Sequence, residues 1–111
     1  MLKCETREDA LARLGRALAD PTRCRILVAL LDGVSYPAVL AERLGLTRSN
    51  VSNHLACLRG CGLVVATYEG RQVRYALADE HLARALRELA QVVLAVDTGQ
   101  PCLSSDGEGT A

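Results

Sequence analysis

Residues 37–60 read PAVLAERLGLTRSNVSNHLACLRG, and the punctuation of this stretch decides the fold. Pro37 suits the first position of a helix, where no backbone N–H is needed, and Gly45 supplies the left-handed residue that commonly ends one. Between them Val39, Leu40 and Leu44 mark a short helix over about 37–44. Thr47 offers an N-cap oxygen, and Val51, Leu55 and Leu58 then recur every three or four residues up to Gly60 and Gly62. The spacing predicts a second helix over about 48–59. Two helices joined by a short turn containing Gly form a helix-turn-helix unit, whose second helix can enter the major groove of DNA.

Upstream, Leu11, Leu14 and Leu18 alternate with Arg7, Arg13 and Arg16 as one apolar stripe, a helix over about 6–19. Asp20-Pro21 is a cap followed by a proline at the first helical position, and the helix it opens runs to about Leu31, before Gly33. Downstream of Gly62 the period shortens to that of a strand. Leu63, Val64, Val65, Thr67 and Tyr68, the turn at Glu69-Gly70, and then Val73, Tyr75 and Leu77 read as a β-hairpin. Asp79 can cap a last long helix whose Leu82, Leu86, Leu89, Val92, Val93 and Val96 are too apolar to leave in water. The expected fold is therefore mainly α with a β-hairpin, a winged helix-turn-helix in the order α-α-α-α-β-β-α, and the last helix calls for a partner.

At 111 residues the chain has room for one domain. Residues 1–97 form it, and 98–111, rich in Gly, Ser, Thr and acid from Gly99 onward, have the composition of a mobile tail. Half of the residues are hydrophobic, with three Tyr and no Phe or Trp, so the core is built from Leu, Val, Ile and Ala. The longest aliphatic run, Ile26 to Leu31, is far short of the roughly 20 residues of a membrane helix. Charged residues at 3–9 replace the apolar stretch of a secretion signal, so no membrane association and a cytoplasmic location are expected.

Net charge is zero but unevenly spread: residues 43–74 hold five Arg against Glu69 alone, and residues 75–111 hold two Arg against six acids. A basic middle suits a polyanion. The 48–59 helix exposes Arg48, Ser49, Asn50, Ser52, Asn53 and His54 beside Thr47, side chains that bond base edges and phosphates. A merely solvated face would mix charge signs, and this one is almost free of acid. Arg71, Gln72 and Arg74 near the hairpin tip make a wing that can reach a neighbouring backbone, although hairpin tips are also polar for solubility alone.

The cysteines carry the second signal. Cys57 and Cys61 lie four apart across the end of the DNA-facing helix, where helical geometry would bring both sulfurs to one face. Two thiolates select a soft metal, yet small cysteines also pack in cores, and the pair alone leaves both readings open. Cys102 tips the balance, because the polar tail offers it no core. A third thiolate completes a trigonal set that Cd(II) and Pb(II) accept, whereas structural Zn(II) generally takes four ligands. Cys24, between two Arg in an apolar slot, reads as a core residue, and Cys4 as an accessory ligand at most. No nucleophile elbow, P-loop, dinucleotide turn or zinc-protease helix is present, so the chain does not read as an enzyme.

Three segments, Asp20 to Leu27, Leu46 to Leu55 and Leu58 to Val64, resemble in order the ArsR/SmtB family of metal-sensing repressors, and the likeness spans about residues 6–97. The resemblance implies a homodimer paired through its first and last helices, bound to a two-fold operator on double-stranded DNA and released by metal. Family members that sense through a Cys-x-Cys on the third helix would need thiols near 38–42, where this chain has Ala38, Val39, Leu40, Ala41 and Glu42. Zinc sensors of the last-helix type would need a second His where Val92 stands, although Asp79 and His81 fit the first half. What remains is Cys57, Cys61 and Cys102, the ligand set of the family's cadmium- and lead-sensing type, with Cd(II) or Pb(II) as inducer and Zn(II) as a further candidate. Two other readings compete: a thiol redox-sensing repressor of the same fold, and a metal-buffering protein without a DNA role.

Overall fold

The computed structural model describes residues 6–96. The chain folds as α1 (Arg7–Leu18), α2 (Pro21–Leu31), α3 (Pro37–Leu44), α4 (Arg48–Gly60), β1 (Val64–Glu69), β2 (Gln72–Leu77) and α5 (Glu80–Val96). Four of the five helices start at a capping side chain, and α3, without one, starts at Pro37. Thr6 and Asp9 exchange side-chain and backbone hydrogen bonds in a capping box on α1. Asp20 accepts from the Arg23 N–H at 2.9 Å, Thr47 from Asn50 at 3.0 Å and Asp79 from Leu82 at 2.8 Å. Caps of this kind are each worth about 1 kcal/mol.

Two glycines set the helix-turn-helix. Gly45 has φ +68°, and the Leu46 N–H reaches back to the Ala41 carbonyl at 2.9 Å. Gly62 has φ +79°, and the Leu63 N–H bonds the Leu58 carbonyl at 3.0 Å. Both are Schellman closures, which require a residue at positive φ and satisfy carbonyls that the helix end would leave unpaired. Such a closure at Gly45 turns the chain from α3 into α4, and the one at Gly62 stops α4 immediately after Cys61.

The core lies where α2, α3, α4 and the start of β1 meet. Ile26, Leu27, Leu40, Val51, Leu55, Leu58 and Val64 are almost fully buried there. The hairpin is antiparallel with Glu69 opposite Gln72, so the loop is Gly70-Arg71. It is anchored to the body by the Tyr75 N–H on the Ser35 carbonyl at 2.8 Å.

Two expectations about burial need correction. The α1 stripe is only partly covered: Leu14 and Leu18 are half-buried against the core and Ala17 is buried, but Leu11 is 66% exposed, because α1 packs along one side of α2 at the edge of the domain. Cys24 is half-buried rather than a core residue. It lines an apolar groove of about 260 Å³ with Leu18, Leu27, Val28, Leu86 and Leu89. The α5 stripe does behave as its composition predicts, with Leu86 buried but Leu89 44% and Val92 57% exposed. Among the described residues no helix is long and apolar enough to cross a membrane.

Candidate functional site

The N-terminal half of α4 presents a continuous polar face. Thr47, Arg48, Ser49, Asn50, Ser52 and Asn53 are exposed, while Val51 and Leu55 fix the opposite face in the core. Thr47 uses its hydroxyl oxygen for the cap, and the free amides of the first turn point the same way, so this end of α4 favours phosphate. His54 differs from its neighbours. It is half-buried, with Nδ1 3.8 Å from Asp20 Oδ2, because position 54 borders the buried row of Val51, Leu55 and Leu58. The sequence placed it on the open face with the others, whereas the structure sets it beside the cap of α2.

In the wing, Arg71, Gln72 and Arg74 are exposed at and beside the turn. Arg74 Nε donates to Glu69 Oε2 at 2.9 Å, and the Tyr36 hydroxyl donates to Glu69 Oε1 at 2.8 Å. Glu69, the one acid in the basic stretch, thereby ties the wing to the start of α3. The two donors hold the Glu69 carboxyl below its ordinary range, with the Tyr36 bond the larger cause. The same bond raises the Tyr36 phenol above its ordinary value. Composition alone could not reveal this tie, since Tyr36 and Glu69 are 33 residues apart.

At the other end of α4 the two cysteines come together as their spacing predicts. The Cys61 N–H bonds the Cys57 carbonyl at 3.0 Å, so helical geometry persists through Gly60 and the two residues stand one turn apart on one face. Both are free thiols; Cys57 is exposed and Cys61 half-buried. An exposed Cys57 is poorly explained as core filler. Among the described residues no group of three or more Cys, His, Asp and Glu is gathered, and the expected third ligand Cys102 and accessory Cys4 lie outside those residues.

Two arginines missed by the sequence reading hold this end of α4. Arg23 Nη1 donates to Cys57 Sγ at 3.3 Å, and Arg13 Nη1 donates to the Cys61 carbonyl at 2.8 Å. A signal for Arg23 existed: it stands three and four residues before Ile26 and Leu27, on the row that α2 buries. A charged residue on such a row needs a partner.

Comparison with known proteins now decides the lineage. Residues 20–65 match the model for bacterial regulatory proteins of the arsR family. The chain is 86% identical over 104 residues to the HTH-type transcriptional regulator CmtR of Mycobacterium tuberculosis, covering 94% of this chain and 88% of that one. This protein belongs to the ArsR family. The NMR structure of the cadmium metal-sensor CMTR from Mycobacterium tuberculosis matches at 85% identity and a TM-score of 0.64, over 86% of this chain and 99% of that one. A homodimeric winged helix-turn-helix DNA-binding domain from Mycobacterium bovis, described as a possible ArsR-family regulator, matches at 34% identity and a TM-score of 0.71, over 86% and 91%. The ArsR chain described here is accordingly a winged helix-turn-helix transcriptional regulator and not an enzyme.

Proposed function

We propose that this regulator is a metal-responsive repressor, a homodimer that holds a two-fold operator when metal-free and leaves it when Cd(II) binds the thiolates of Cys57, Cys61 and Cys102. The observation that carries the reading is the position of Cys57 and Cys61 one turn apart at the end of the helix whose other end bears the exposed DNA-type donors. An ion drawn onto these sulfurs acts on the recognition helix itself. The similar protein described as a cadmium metal-sensor supports the choice of ion. Pb(II) suits three thiolates equally, Zn(II) less well, and Cys4 is an accessory ligand.

In this reading Arg48, Ser49, Asn50, Ser52 and Asn53 meet the operator with Thr47, His54 sits at the margin of that surface, and Arg71, Gln72 and Arg74 reach the flanking backbone. The dimer forms through α1 and α5, whose Leu11, Leu89 and Val92 are exposed in a single chain. A tail carrying Cys102, from the same chain or the partner, closes the thiolate set. Metal then reweights the dimer toward its DNA-free arrangement. Linkage requires DNA to weaken metal binding by the same factor, of order 5- to 150-fold for couplings of this kind.

The experiment uses a duplex selected from a random library by the reduced, metal-free protein. Cys57→Ser, Cys61→Ser and Cys102→Ser are each expected to keep parental affinity for that duplex while losing thiolate-to-cadmium absorption and Cd(II)-driven release. A Cys102→Ser protein that responds to Cd(II) like the parent contradicts the three-thiolate set.

A further inference from the structure

Arg23 sits in the first turn of α2 and spends its guanidinium on two other helices. Nε donates to the Ala17 carbonyl at 3.3 Å and Nη2 to the Arg16 carbonyl at 3.0 Å, both in the last turn of α1, while Nη1 donates to Cys57 Sγ at 3.3 Å. A guanidinium presents its N–H groups in a fixed planar fork, so three simultaneous acceptors leave it little freedom. Displacing the Cys57 sulfur must therefore drag the end of α1 or break a bond. Arg13 adds a second tie between the same elements, from α1 to the Cys61 carbonyl at 2.8 Å. Neither contact serves the DNA-facing donors, which lie at the opposite end of α4.

Charge argues in the same direction. A divalent ion on three thiolates carries one net negative charge, and Arg23 places one positive charge on a sulfur of that set. Charge-assisted hydrogen bonds of this kind are about twice as strong as neutral ones.

We propose that Arg23 is a positioning residue of the thiolate site, holding the Cys57 sulfur against the last turn of α1 and carrying metal occupancy from the end of α4 into the helix that presents Leu11 for dimer contact. The inference rests on the metal-responsive reading above. It places the coupling between metal and DNA in the α1–α2 corner and not in the recognition helix alone.

The test compares the parent with Arg23→Gln, Arg23→Lys and Thr6→Ala, using Cd(II) alone as the metal and the selected duplex as DNA. Duplex affinity is read by anisotropy without and with Cd(II), and the site by its thiolate-to-cadmium absorption. Arg23→Gln should bind the metal-free duplex within about three-fold of the parent and take up Cd(II) with unchanged stoichiometry. Its absorption band should shift, because the sulfur has lost its donor, and the Cd(II)-driven loss of duplex affinity should shrink by about five-fold or more, a sizeable part of a typical coupling. Arg23→Lys, which keeps the charge but cannot span three acceptors, should fall between the two. Thr6→Ala loosens α1 from its other end without touching the sulfur and should keep the parental band.

Parental coupling and a parental band in both Arg23 variants would overturn the proposal while leaving the metal-responsive reading intact. An equal band shift in Thr6→Ala would overturn it too, because the effect on the sulfur would then be general loosening of α1 and not loss of the Arg23 donor. A parent whose duplex affinity ignores Cd(II) overturns the proposal and the reading together. Where Arg23→Gln fails to fold, Arg23→Lys decides by the same criteria.

Discussion

Gly62 governs where the two α4 cysteines stand. Its φ of +79° lets the helix close immediately after Cys61, so a side chain there is strained even though an added Cβ would meet nothing nearer than Arg13 Nη1 at 3.6 Å. Gly62→Ala is expected to cost about 1 kcal/mol, which for a domain of this size lowers the melting midpoint by roughly 4–8 °C. A calorimetric scan checks this, and an unchanged midpoint counts against the closure. At the other end of α4, Arg48→Ala should weaken duplex binding and flatten its salt dependence by about one unit of slope while leaving Cd(II) affinity alone. Anisotropy across a salt series reads both. The placement of Arg48 and Cys57 on α4 was legible in the sequence because spacing alone puts Arg48 outside and Val51 inside, and Cys57 within a turn of Cys61. His54 and Arg23 were not, because each stands at the margin of a buried row, where its surroundings depend on which helix packs alongside.

Among the elements, α2, α3 and α4 begin and end where proline, Thr47, Gly45 and Gly62 say they should, since local caps set those boundaries. The wing is different. Its strands follow from alternation, but its attitude to α3 depends on Tyr36 and Arg74 meeting at Glu69, a tertiary contact that no periodicity encodes. The tie has a defined pH window. Glu69 titrates below its ordinary range when folded, so its contribution is present at and above that range and fades as pH falls through the lowered value. Tyr36 titrates above its ordinary value of 10.0, so its share is present below that value and fades as pH rises through the raised one. Protection of the β1 and β2 amides relative to their intrinsic exchange rates should therefore be steady near neutrality and fall at both extremes. Glu69→Gln should remove the acid-side change, and an acid-side change that survives in that variant would contradict the tie.

At the scale of the whole molecule, a single chain leaves Leu11, Leu89 and Val92 in water, and Leu89 lines an apolar groove with Leu18, Val28 and Leu86. An exposed apolar groove on a helix this oily is a surface that a partner would cover. Apolar excess in the last helix already signalled this from sequence, whereas the α1 stripe was legible only in part: Leu14 and Leu18 meet the core, and amphipathic spacing does not say how much of Leu11 the same chain covers. Leu89→Glu is expected to shift the sedimentation of the protein from dimer toward monomer and to abolish tight duplex binding, because two half-sites then act separately. A fully dimeric Leu89→Glu protein would move the interface elsewhere. The account as a whole turns on metal and DNA competing for one dimer. The most direct measurement is duplex anisotropy of the reduced protein titrated with Cd(II) while thiolate-to-cadmium absorption is followed in the same cuvette. Release that rises in step with absorption and completes near one ion per chain is the predicted result. Full absorption with the DNA complex unchanged would contradict a metal-released repressor and leave thiol oxidation as the next effector to examine.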